Sequence, residues 1–143
     1  MKEALTYDDV LLVPQYSDIK SRSEVYLTSP LDESLVFKLP IISSPMDTVT
    51  ESEMAFTMDR LGGLGIIHRY NSIEEQAGLV AEVISAGATS VGAAIGVSGD
   101  YFERAQTLVE NGVSVLCIDV AHGHHVLMRD VLGILKKSFG ESV

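Results

Sequence analysis

What most constrains this chain is an alternation repeated four times. Apolar runs begin at Leu39, Leu64, Ser90 and Val113, and a segment of helical periodicity follows each one. After Leu39 to Met46, Thr50 reads as a helix cap with Glu53 completing a capping box. Met54, Ala55, Met58 and Leu61 then share one face, and Gly62-Gly63 end the helix. Leu64 to His68 is followed by Ser72 as cap, Glu75 as its box partner, the stripe Leu79, Val80, Val83 and Ile84, and a stop at Gly87. Ser90 to Gly96 is a strand of small residues, followed by Tyr101, Phe102, Ala105, Leu108 and Val109 and an end at Asn111-Gly112. Val113 to Asp119 leads to a helix bearing Leu127, Met128, Val131, Ile134 and Leu135, with Lys136 and Lys137 complementing its negative end.

Such alternation implies a parallel sheet with right-handed crossovers, and continuously apolar strands imply that both faces are covered. An open doubly wound sheet is the competing architecture; its Rossmann form would carry G-x-G-x-x-G after the first strand, and none stands there. The spacing therefore predicts an α/β fold: a partial (β/α)8 TIM barrel of about four βα units. A single domain spans residues 1–143, with 39–143 as the first half of the barrel and 1–38 as a β-rich N-terminal segment. In that segment Val10 to Val13 before Pro14 reads as a short strand, and Ser23 to Thr28 alternates as a half-exposed strand does. A closed barrel takes about 250 residues. Half of one has two open edges, so the chain is expected to be truncated or to pair with another half.

Composition excludes several classes. A net charge of -10 disfavours nucleic acid and anionic membrane as partners. One cysteine allows no internal disulfide and fits a reducing compartment. The N-terminus is too polar for a signal peptide, and no apolar run approaches the ~20 residues of a membrane span. The expectation is a soluble, cytoplasmic protein.

Three strand endings carry polar groups: Ser43 to Glu51, His68 to Asn71, and Asp119 to His124. In a parallel barrel these endings share one rim, where barrel enzymes build their sites. Each group also has a plainer reading. Cys117 sits inside an apolar strand with no base beside it, so it reads as a buried small residue and not as a nucleophile. His122, His124 and His125 suggest a metal only weakly, because no cysteine accompanies them. His68 reads as a hydrogen-bonded structural residue, with a catalytic role left open by its place on the rim. Arg69 reads equally as a phosphate ligand or a solvated cation. Asp8 and Asp9 are adjacent, so they read as turn residues and not as an acid–base pair.

Together these segments resemble the IMP dehydrogenase and GMP reductase family. The matching stretches are Leu5 to Pro14, Ser21 to Val25, Ser44 to Glu51, Gly62 to His68, Ser72 to Gln76, Val91 to Gly96 and Asp119 to His124. The resemblance implies a (β/α)8 barrel that assembles as a homo-tetramer and binds a purine nucleotide. Its dehydrogenase branch oxidises IMP to XMP with NAD through a covalent bond to a cysteine, and its reductase branch converts GMP to IMP with NADPH. By resemblance Ser44 and Met46 belong to the substrate site, while Asp119, Val120 and Ala121 contact the cofactor. Pro45 and His122 are dehydrogenase-like. The absence of a regulatory CBS insert between Ser72 and Ser90 is reductase-like or marks a short dehydrogenase, and the dehydrogenase branch is favoured. The family's catalytic cysteine loop and monovalent-cation site have no counterpart here, so no catalytic residue is assigned. A non-catalytic half-barrel nucleotide-binding or assembly module is the alternative from a different class.

Overall fold

The computed structural model describes residues 2–140 and 143. The N-terminal stretch is irregular. It holds a 3-10 turn at Arg22–Glu24 and a two-rung antiparallel hairpin of β1 (Ser29–Pro30) and β2 (Val36–Phe37). The strands expected at Val10 to Val13 and Ser23 to Thr28 do not form. Neither run meets a partner strand there, and Leu11, Leu12 and Tyr26 stay exposed. Local alternation without a neighbouring ladder does not hold a strand.

The alternation from Leu39 onward forms as expected. β3 (Ile42–Ser43), α1 (Ser52–Leu61), β4 (Leu64–Ile67), α2 (Ile73–Ser85), β5 (Gly92–Ile95), α3 (Tyr101–Glu110), β6 (Val115–Ile118) and α4 (Val126–Phe139) follow in order. The four strands pair in parallel, in the sequential order β3-β4-β5-β6. Each strand is shorter than its apolar run, because the ends of the runs turn into the connecting loops.

The two faces of the sheet differ. Ile67, Ala93 and Ile95 point to one side and pack with Ala55, Val80, Val83, Ala105, Leu108, Val131 and Leu135. Those seven residues come from all four helices, so every helix lies on that side. A doubly wound sheet would divide its helices between both faces. Here the other face carries Leu64, Ile66 and Ala94, with Val115 and Cys117 beside them, and Phe37 of the hairpin packs against it. Helices outside and strand side chains inside is the layering of a (β/α) barrel. The structure is a partial one of four units.

Local chemistry explains the element ends. Ser72 and Glu75 form the reciprocal capping box at α2. Gly62 closes α1 in the left-handed region at φ 85°. Gly65 lets α1 sit close on β4, since a Cβ there would collide with the Ala55 backbone. The expected cap at α1 is corrected. The helix starts one residue after Glu51, and Thr50 is fully buried and bonded elsewhere.

Candidate functional site

Parallel pairing puts the ends of β3, β4, β5 and β6 on one edge of the sheet. Ser44, His68, Gly96 and Asp119 each follow the last residue of a strand, so all four stand on that rim. A cleft of about 490 Å³ opens there, lined by Ser44, Pro45, Met46, Asp47, Tyr70 and Asp119. Three residues singled out from the sequence, Ser44, Met46 and Asp119, are thus brought together from loops 75 positions apart in the chain. Val120 and Ala121 continue the same loop but do not line the cleft. Tyr70 was not anticipated as a wall of the cleft. Its aromatic ring at a strand end was the available signal.

The loop carrying Ser44 and Met46 is held from below. The Thr50 hydroxyl donates to the Ser44 carbonyl at 2.6 Å and lies 2.9 Å from the Ser43 hydroxyl. The Thr50 and Val49 amides donate to the Met46 carbonyl at 3.0 Å, and the Met46 amide donates to the Ser44 carbonyl at 2.8 Å. Thr50 therefore fixes the turn that presents the cleft residues. Its threonine type at a position that also suits a cap is what disguised this role.

His68 is buried with both ring nitrogens engaged. Nδ1 accepts from the Tyr70 amide at 3.1 Å, so Nε2 carries the proton and faces Glu51 Oε1 at 3.3 Å. That is the structural role expected of it. Arg69 is a third exposed and engages Asp119. Its Nη2 donates to the Asp119 carbonyl at 3.3 Å, and its Nε lies 3.4 Å from Asp119 Oδ2. The guanidinium carbon also stands 5.5 Å from the centre of the Tyr70 ring.

A second network lies under the same rim. Arg104, buried on α3, donates to Gln76 Oε1 at 2.9 Å, to the Asn71 carbonyl at 3.1 Å and to Asp100 Oδ2 at 2.7 Å. Gln76 donates to the Ala94 carbonyl at 2.9 Å, at the end of β5. Together these bonds tie the loop carrying Arg69 and Tyr70 to α2, α3 and β5. Polar residues inside helical stripes gave no sign of this from the sequence, apart from the i,i+4 spacing of Asp100 and Arg104.

Cys117 points to the inner face of the sheet. Burial first, and the Asp119 carboxylate second, push its thiol up from the ordinary value. It is half-buried and not fully buried as expected, and the upward shift leaves less thiolate at neutral pH than in a free cysteine. His125 caps α4, its Nδ1 accepting from the Leu127 amide at 3.1 Å. His122 and His124 are exposed in the preceding loop. Asp9 accepts from the Thr6 amide and hydroxyl, the turn role expected. Those bonds hold its carboxyl below the usual range.

A larger cavity, about 790 Å³, opens at the opposite end of the strands between residues such as Asp32, Ser34, Thr89 and Ser114. Size alone would favour it. Asp32, however, already accepts from the Ser34 amide and hydroxyl and the Leu35 amide, and none of the four parallel strands ends there. The rim cleft has an aromatic ring, a thioether and a carboxylate converging on it. Asp119 Oδ1 accepts no hydrogen bond among the described residues. A carboxylate oxygen left open in a cleft of this size fits a hydroxyl donor, such as a sugar diol.

Fold and cleft together define a partial (β/α) barrel with a ligand-sized site at the C-terminal ends of its strands. A family model described as "IMP dehydrogenase / GMP reductase domain" matches residues 4–143. An inosine-5'-monophosphate dehydrogenase of Nitrosopumilus maritimus is 50% identical over 99 residues, 69% of this chain and 21% of that protein. One from Cryptosporidium parvum is 39% identical over an alignment of 183 residues, covering 99% of this chain and 45% of that protein. A GMP reductase of Leishmania donovani is 51% identical over 83 residues, 58% of this chain and 17% of that protein. The chain belongs to the IMP dehydrogenase / GMP reductase family, and it spans less than half the length of these relatives. Among the described residues no helix is long and apolar enough to cross a membrane.

Proposed function

We propose that this chain supplies the first half of a purine nucleotide oxidoreductase barrel. The complete barrel would oxidise IMP to XMP with NAD. The observation that carries this reading is the convergence of Ser44, Met46, Tyr70 and Asp119 on one cleft at the strand C-termini. Ser44 offers a hydroxyl and backbone groups to a nucleotide, and Met46 and Tyr70 offer apolar faces to a flat base. Asp119 would hold a ribose of the dinucleotide through its open oxygen, with the backbone of Val120 and Ala121 beside it. The nicotinamide, when bound, supplies the hydride acceptor. The protein's share in this half is binding and orientation, because holding reactants in register lowers the barrier without further chemistry.

Among the described residues none is proposed as the nucleophile. Cys117 is unsuited to it, and a cysteine from the rest of the barrel would take that role. The chain by itself is accordingly proposed to bind without turnover. A monovalent cation is expected to act in the complete barrel, and the cellular site of action is expected to be the cytoplasm.

The test is binding and turnover measured side by side. The chain is titrated with IMP and with NAD by calorimetry, and any longer product of the same gene is assayed for NADH formation with IMP. Saturable binding by the chain, with turnover only in the longer product, is the expected result. NADPH consumption with GMP in place of IMP-dependent NADH formation would move the assignment to the reductase side, a reading favoured by the Leishmania donovani match. Absence of nucleotide binding would remove the proposal.

A further inference from the structure

Arg69 reaches across three strand ends. It follows β4, its Nη1 would lie 3.7 Å from a Cβ built on Gly96 at the end of β5, and it contacts both the carbonyl and the carboxylate of Asp119 after β6. The carbonyl contact is a hydrogen bond. The carboxylate contact is not: Nε is buried, sits 3.4 Å from Oδ2, and has no aligned acceptor. A buried donor left without an acceptor favours any arrangement that supplies one. A small turn of the Asp119 carboxylate onto Nε would do so, and would fix its other oxygen toward the cleft. Tyr70 limits where the guanidinium can go, since the ring lies against it. Gly96 lies alongside the guanidinium without confining it, since a methyl group there would meet Nη1 at an ordinary contact distance of 3.7 Å.

We propose that Arg69 is the positioning residue for Asp119, holding its carboxylate and the loop 119–121 so that the cleft selects a ribose diol over a 2'-deoxy sugar. This rests on the reading of the cleft as a nucleotide site. In this role Arg69 does not touch the ligand. It orients the group that does, and its charge reduces the cost of removing water from Asp119.

Two measurements on the full chain test this. Without ligand, amide hydrogen exchange is followed in residues 119–121 of wild type, R69K, R69Q and R69M. Faster exchange in R69M and R69Q, with partial recovery in R69K, is expected, because lysine keeps the charge but not the two-point fork. Unchanged exchange in all three overturns the positioning role. With ligand, NAD, adenosine and 2'-deoxyadenosine are titrated by NMR. R69M is expected to weaken NAD and adenosine by the same factor, about tenfold, and to leave 2'-deoxyadenosine unchanged. In a D119N background the same substitution should have no further effect. Loss confined to NAD would mean that Arg69 binds phosphate directly, and would overturn the proposal. If wild type binds none of the three, the nucleotide reading of the cleft and the diol selection fall together, while the exchange result still decides whether Arg69 positions Asp119.

Discussion

Asp59, on α1, shows how one side chain joins elements distant in sequence. It accepts from the amides and hydroxyls of Thr89 and Ser90, at distances between 2.8 and 3.1 Å, and so ties α1 to the start of β5. Burial pushes its carboxyl up, but these hydrogen bonds outweigh burial and the net value lies below the usual range. A depressed carboxyl contributes stability above the unfolded value of about 3.9, and that stability is lost as pH falls through the lower folded value. D59A should cost about 1–2 kcal/mol at neutral pH, a figure kept low because the group is partly open to solvent. Its deficit against wild type should shrink in acid, as urea denaturation across a pH series would show; a deficit independent of pH would contradict the account. Cys117 yields the second prediction at this scale. The native chain should react slowly with a thiol reagent at neutral pH and rapidly in urea, whereas fast native labelling would contradict the raised thiol. The apolar strand context of Cys117 and the lack of a neighbouring base are both visible in the chain, but its partial exposure is not, because it depends on how β6 is covered. The sequence did not reveal Asp59, whose partners lie 30 residues away and depend on the fold.

At the scale of elements, the four βα units were legible because strand runs and helical stripes differ in period and glycine marks their ends. The capping box at α2 was read correctly from Ser72 and Glu75 alone. Thr50 was not, because a threonine before a helix suits a cap as well as a buried anchor. The strand expected at Val10 to Val13 failed for a related reason: a strand needs a partner, and periodicity does not name one. Two substitutions separate local from packing effects here. S72A should cost about 1 kcal/mol through the lost cap. G65A should cost more, since α1 must move off β4 to admit a methyl group. Thermal unfolding of the two variants would check the order, and an equal or reversed order would contradict the close approach assigned to Gly65.

At the scale of the whole molecule, the layering of helices outside and strands inside follows from all four helices sharing one side of the sheet. β4 and β5 are buried throughout, whereas every residue of β6 keeps partial exposure. Tyr7, Leu11, Leu12, Tyr16 and Tyr26 of the N-terminal segment are each more than 90% exposed. Open sheet edges and an apolar arm favour association. Sedimentation should therefore show mass rising with concentration, and a strict monomer would contradict that expectation. The rim was legible from three strand endings in register. The pairing of Arg69 with Asp119 was not, because it depends on how far apart two loops stand in space. The rim cleft, and not the larger cavity at the other end, is proposed as the nucleotide site. Backbone NMR shifts recorded during titration with NAD and with IMP test it most directly. Saturable shifts confined to residues 44–48, 69–70 and 119–121 are expected. Shifts clustered at Asp32, Thr89 and Ser114, or none at all, would contradict it.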